Sequence, residues 1–139
     1  MIHIRIIDVT LPELLLVESD ILWVEDVIKH YSKKTGEVFF LFCSDEHLFQ
    51  MNVQFLNHDT YTDIITFSSS EVAEIISGEL YISIERVMDN AEKIGVSFKE
   101  ELLRVMIHGI LHLIGYNDKT ESDIMEMRLQ ENKCLSLRF

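Results

Sequence analysis

Residues 97–115 constrain the fold more than any other stretch of this chain. Leu102, Leu103, Val105, Met106, Ile107, Ile110, Leu111, Leu113 and Ile114 wrap apolar side chains around almost the whole circumference of a helix. A helix that is hydrophobic all round is buried, so the rest of the chain has to be built around it. Ser97 and Glu100 have the spacing of a capping box for its start. Gly115 offers the left-handed residue with which helices commonly end. Two histidines interrupt the apolar surface. His108 and His112 are four apart, which stands them one turn apart on the same face. They face either the core or a cleft, and a cleft explains why a buried helix carries both on one side.

Past Gly115 the chain can turn back, and Asp118 then closes a third side of the pair. Counted from His108, the histidine, glycine and aspartate fall at +4, +7 and +10. That is the zinc pattern H-E-x-x-H-x-x-G-x-x-H of the metzincin peptidases with two changes. Asp118 stands where the third histidine would be, and Gly109 where the general-base glutamate would be. Aspartate is a legitimate zinc ligand, so two imidazole nitrogens, one carboxylate oxygen and an open position for water survive. Loss of the glutamate removes the group that deprotonates water in peptide hydrolysis. The pattern therefore points to a metal hydrolase other than a peptidase, with His108, His112 and Asp118 holding one zinc ion per chain. Should Asp118 not be the third ligand, His58, Asp59 and Asp123 are the next candidates.

The run His108-Gly109-Ile110-Leu111-His112-Leu113-Ile114-Gly115-Tyr116 resembles the H-G-x-L-H-L-x-G-Y signature of the YbeY family, metal-dependent endoribonucleases of ribosomal RNA maturation. Upstream, Thr62-Asp63-Ile64-Ile65-Thr66-Phe67 is similar to the family's T-[DN]-V-L-S-F segment, and Gly78-Glu79-Leu80-Tyr81-Ile82-Ser83 to its G-D-I-x-I-S strand. The likeness covers most of residues 50–135. Two positions depart from it. The family's third ligand is usually histidine rather than Asp118, and the family often carries an arginine where this chain has Leu56.

The resemblance implies a zinc-dependent, single-strand-specific endoribonuclease acting in 16S rRNA 3′-end processing and ribosome quality control. Its partners would be ribosomal RNA and the small ribosomal subunit, reached through a ribosomal or assembly protein. It also places His58 and Asp59 beside the metal cleft, as candidates for proton transfer or substrate contact. The turn chemistry of Asn57-His58-Asp59-Thr60 is an equal reason for both residues. Thr62 and Asp63 would shape the loop, and Lys119 is the nearest cation at the cleft mouth. Two other functions fit the same residues. One is a ribosome-assembly factor whose metal is mainly structural. The other is a different metalloenzyme, since two histidines and a carboxylate also hold non-haem Fe(II).

Charge qualifies the RNA reading. Twelve Lys+Arg against 24 Asp+Glu give a net charge of −12, which argues against indiscriminate binding to phosphate backbones. Free RNA should bind weakly with a steep salt dependence, so the ribosome or a partner has to present the strand. An acidic chain still cuts RNA where a cleft carries a metal. Cys43 and Cys134 lack metal-like spacing and read as reduced thiols of a cytoplasmic protein. The N-terminus has no signal-peptide pattern, and no run reaches the ~18 apolar residues of a membrane span.

The 139-residue chain reads as one domain, residues 1–139, around the central helix. Residues 2–6 alternate as a strand. A helix capped by Ser19 or Asp20 carries Ile21, Val24, Val27, Ile28 and Tyr31 on one stripe and ends near Lys34 and Gly36. Residues 38–43 read as a strand buried on both faces. Ser44 opens a short helix with Leu48, Met51 and Phe55 on one face, and residues 63–67 form a strand. Residues 68–77, opening on a serine run, read as a flexible loop before a strand at 79–84, and a further helix ends at Gly95. Thr120 caps a last helix with Ile124, Met127, Glu131 and Leu135 along one side. This order predicts an α+β fold: a mixed four-stranded sheet, helices mainly on one face, and the metal-bearing helix at the centre.

Overall fold

The computed structural model describes residues 1–10, 16–57 and 61–138. Four strands, β1 (Ile2–Ile6), β2 (Lys34–Cys43), β3 (Ile64–Ser68) and β4 (Ile75–Ser83), form one sheet in the order β1-β2-β4-β3. β1, β2 and β4 run parallel, and β3 pairs antiparallel with β4. Helix α1 (Glu18–His30) makes the crossover from β1 to β2, and α2 (Asp45–Leu56) follows β2. Helices α3 (Ile84–Ile94), α4 (Phe98–Ile114) and α5 (Glu121–Ser136) complete the chain. The mixed α+β architecture is the one the sequence predicts.

Alternation along the central strands divides the sheet into two unequal faces. Val38, Phe40 and Phe42 of β2 lie beside Gly78, Leu80 and Ile82 of β4, and they share one buried cluster with α1 and α4. On the other face, Cys43 and Ile65 pack with Leu48 and Met51 of α2 in a smaller cluster. Phe39 and Leu41 are only half-buried, so β2 is not covered equally on both sides. Phe55 is 60% exposed, which leaves Leu48 and Met51 as the buried side of α2.

Helix α4 is central, as its apolar circumference requires. Leu102, Leu103, Met106, Ile107, Ile110 and Leu111 are fully buried, each contributing roughly 1.5–3 kcal/mol of hydrophobic stabilisation. Gly109 faces the sheet. A Cβ there would stand 2.3 Å from Leu80 Cδ2 and 2.7 Å from Ile64 Cδ1. The position that holds a general base in the metzincin pattern is here a packing residue that lets α4 settle onto β3 and β4.

The structure differs from the sequence reading where distant contacts outweigh local signals. α1 begins at Glu18 with Val17 in the cap position, and Asp20 lies one turn inside, accepting the Val17 N–H at 3.1 Å. Asp20 is only 1% exposed. It also pairs with Lys99 at 2.9 Å and Arg138 at 3.1 Å, tying α1 to α4 and to the C-terminal segment. The reversal after α1 uses Ser32 at φ 61° rather than Gly36. Gly36 lies inside β2, where a Cβ would meet Ser77 Oγ at 2.1 Å. β4 starts at Ile75, within the expected loop, because Lys34 and Thr35 pair with Ile75 and Ile76. Among the described residues no helix is long and apolar enough to cross a membrane.

Candidate metal centre and its two grooves

Gly115, at φ +127°, ends α4. Its N–H is shared between the carbonyls of Leu111 and His112, and the Tyr116 N–H donates to Leu111. The chain turns back and delivers Asp118 to the histidine pair. His108 Nε2 and His112 Nε2 stand 3.0 Å apart. Asp118 Oδ2 lies 3.2 Å from the nitrogen of His112 and 3.4 Å from that of His108. Ligand atoms around a tetrahedral ion with bonds of ~2.0–2.2 Å are about 3.3–3.5 Å apart. The observed triangle is close to that size.

The far side of each ring says more. His108 Nδ1 lies 2.7 Å from Glu131 Oε2, and His112 Nδ1 lies 3.0 Å from the Tyr116 carbonyl. A carboxylate and a carbonyl only accept, so each Nδ1 carries the donated proton. In the neutral rings both Nε2 lone pairs then point to one spot, which the Asp118 carboxylate also faces. With both rings neutral, three acceptors converge there, and a cation satisfies all three. His108, His112 and Asp118 could thus hold a metal ion.

Glu131, which the sequence reading placed only on a helix face, backs the cluster through His108. It is 4% exposed, and its second oxygen accepts from Arg104 Nη1 at 2.9 Å and faces Arg128 Nη1 at 3.2 Å. Burial works against its charge, but the bonds from His108 and Arg104 and the charge of Arg128 hold its pKa below the usual range. Burial likewise disfavours the His108 imidazolium. The bond to Glu131 and the charges of Glu131, Asp118 and Asp63 outweigh it and raise the His108 pKa.

Two grooves meet at the cluster. One, of about 330 Å³, is lined by Asp63, Glu101, Arg104, Arg128 and Glu131 together with His108. Burial raises the pKa of both Asp63 and Glu101 there. The other groove runs along Leu56, Tyr61, Thr62, His112 and Lys119. Asp63, Ile64, His108 and Asp118 belong to both walls, so Asp63 borders the cluster as well as shaping its loop. His58 and Asp59 lie outside the described residues. Asp123 is committed elsewhere: it closes a capping box with Thr120 at the start of α5, with bonds of 3.0 and 3.3 Å. Met127 is buried and Met125 is on the surface.

Fold and site together define an α+β protein whose central helix presents two histidines, joined by a carboxylate from the turn that follows it, able to hold a metal ion at the junction of two grooves. Comparison with known proteins names the family. The family model for endoribonuclease YbeY matches residues 16–137. Endoribonuclease YbeY of Flavobacterium psychrophilum is 50% identical over 119 residues, covering 86% of this chain and 84% of the relative. That of Cytophaga hutchinsonii is 50% identical over 116 residues, covering 84% and 81%. The solution structure of TM1509 from Thermotoga maritima superposes with a TM-score of 0.71 at 30% identity, covering 99% of this chain and 88% of that one. This chain belongs to the endoribonuclease YbeY family.

Proposed function

We propose that this chain is a zinc-dependent endoribonuclease that cuts single-stranded ribosomal RNA. The observation that carries the reading is the convergence of three potential ligand atoms, on His108, His112 and Asp118, in a member of an endoribonuclease family. When bound, zinc supplies Lewis acidity, lowering the pKa of water toward ~7 and offsetting charge on phosphodiester oxygens.

The chain's own residues do the rest. His108 and His112 hold the ion through Nε2 and Asp118 through its carboxylate. Glu131 and the Tyr116 carbonyl fix the two rings in the tautomer that leaves Nε2 free. Asp63, whose carboxyl burial inclines toward the protonated form, stands where it can give or take a proton beside the phosphodiester. His58 and Asp59 keep their candidacy for substrate contact on the sequence resemblance alone. A mainly structural ion fits less well, because structural zinc sites are closed. Here the side chains of His108, His112 and Asp118 remain 23%, 26% and 44% exposed.

The family resemblance extends the reading to the 3′ end of 16S rRNA and to ribosome quality control on the small subunit. A cytoplasmic setting suits Cys43 and Cys134, both buried as free thiols. The test is single-turnover cleavage of an unstructured oligoribonucleotide by purified chain, with metal content measured in parallel. Zinc at about one per chain and cleavage abolished by chelator and restored by zinc are expected. Cleavage that persists in metal-free chain overturns the reading.

A further inference from the structure

The groove that carries Lys119 also presents an aromatic ring. Tyr61 is 52% exposed on the wall that continues through Thr62 and Asp63 to His108 and His112. Its orientation is fixed by two neighbours. The ring stacks on Phe49 of α2 with centroids 4.5 Å apart and planes 25° from parallel, and the Arg86 guanidinium lies 5.3 Å from its centroid. Arg86 is anchored in turn by Asp45 at 2.6 Å. A large ring held in one orientation while half its surface stays in water is not a core residue.

The charges of the cleft give that ring a task. Arg104 and Arg128 both lie on Glu131, and Leu56 gives the second groove an apolar side chain. Lys119 is the one groove cation with no carboxylate partner among the described residues. Phosphate contacts therefore supply little affinity in a chain of net charge −12. Contact with bases has to supply more. Packing of bases on aromatic rings accepts any base, provided that it is unpaired.

We infer that Tyr61 is the platform on which one base of the single-stranded RNA substrate packs, while the adjoining phosphodiester reaches His108, His112 and Asp118. The inference rests on the RNA-cutting reading and adds how the strand is gripped. It also gives a physical reason for preferring single strands, since the bases of a duplex are already stacked on one another.

The test uses zinc-loaded full-length chain and a short single-stranded oligoribonucleotide, in versions carrying one abasic site at each successive position. Tyr61→Ala should weaken binding about 5- to 150-fold, the range that loss of one base–aromatic contact gives, with the loss falling on KM more than on kcat. Tyr61→Phe, which keeps the ring, should restore most of it. One abasic position should weaken the wild-type chain by a similar factor and the Tyr61→Ala chain hardly at all. Equal RNA affinity in wild type and Tyr61→Ala, or an abasic penalty that Tyr61→Ala leaves unchanged, overturns the inference. A wild-type chain that binds but does not cut sinks the nuclease reading while the binding comparison still decides on Tyr61. A chain that neither binds nor cuts sinks both.

Discussion

The two grooves that meet at His108 share a wall and differ in what they leave free. The first is crowded with charge, yet its charges are spent on one another: Glu131 is bonded by His108 and Arg104 and faced by Arg128. The second carries fewer charged groups, but Lys119 and the Tyr61 ring are both available. A count of arginines would assign substrate to the first groove. The hydrogen bonds argue for the reverse: the first groove backs His108 through Glu131, and the strand proposed to pack on Tyr61 lies in the second.

Removing the shared wall should have the largest effect. The double variant His108→Ala/His112→Ala is expected to carry almost no zinc and to lose cleavage entirely. Metal analysis of the purified chain checks this, and full occupancy would exclude the site.

Glu131→Ala attacks the difference between the grooves. Zinc affinity should fall about 10- to 100-fold, the usual consequence of losing a residue that orients a ligating histidine. The same change releases Arg104 and Arg128, so RNA should bind more tightly at low salt. Its salt slope should steepen by up to about 1.4, at ~0.7 per phosphate contact on a single strand. Calorimetric zinc titration and RNA binding across a salt series read the two effects. They should move in opposite directions, and a parallel loss of both would mean that Glu131 only holds the fold together.

Asp20 provides a contrast remote from both grooves. Burial favours its neutral form, but the Val17 N–H, Lys99 and Arg138 outweigh this and hold its pKa below the ordinary 3.8. A group whose folded pKa is depressed adds stability above its unfolded pKa, near 3.9, and loses it as pH falls through the folded value. Asp20→Asn should therefore cost roughly 1–3 kcal/mol at pH 7 and progressively less below about pH 4, with zinc affinity preserved. Urea unfolding at the two pH values measures it, and an equal cost at both would show that the charge of Asp20 is irrelevant.

The smallest expected effect belongs to Lys119→Ala, which should lower the salt slope of RNA binding by about 0.7. With one free cation on the open groove among the described residues, the wild-type slope should itself be shallow. That differs from the steep dependence that net charge alone leads one to expect, because a slope counts phosphate contacts rather than total charge. A wild-type slope of several units would mean that other cations take part.

The cluster was legible in the sequence because it is local. Helical spacing, one glycine and a short return bring His108, His112 and Asp118 together without help from distant residues. Glu131 was not legible, because its bond to His108 depends on how α5 lies against α4. Its one signal was an acidic residue on the same side of a helix as Met127. The mixed sheet and the central place of α4 followed from apolar patterning. The start of β4 did not, since Ile75 and Ile76 become strand through pairing with Lys34 and Thr35. Asp20 misled for a related reason: an acid just before an apolar stripe resembles a cap, and only its partners Lys99 and Arg138 reveal a buried tie. Gly109 resembled a lost catalytic glutamate until Leu80 and Ile64 were found where its side chain would be.

All three candidate ligands lie within residues 108–118, and this has a thermodynamic consequence. A denatured chain keeps them on a loop of about ten residues, whose closure is cheap. Some affinity for the ion therefore survives unfolding, and whatever the unfolded chain binds is subtracted from the stabilisation that the ion confers. Chelation should then lower the melting temperature by less than the zinc affinity of the folded chain implies, and loosen the turn after Gly115 well before it threatens the sheet.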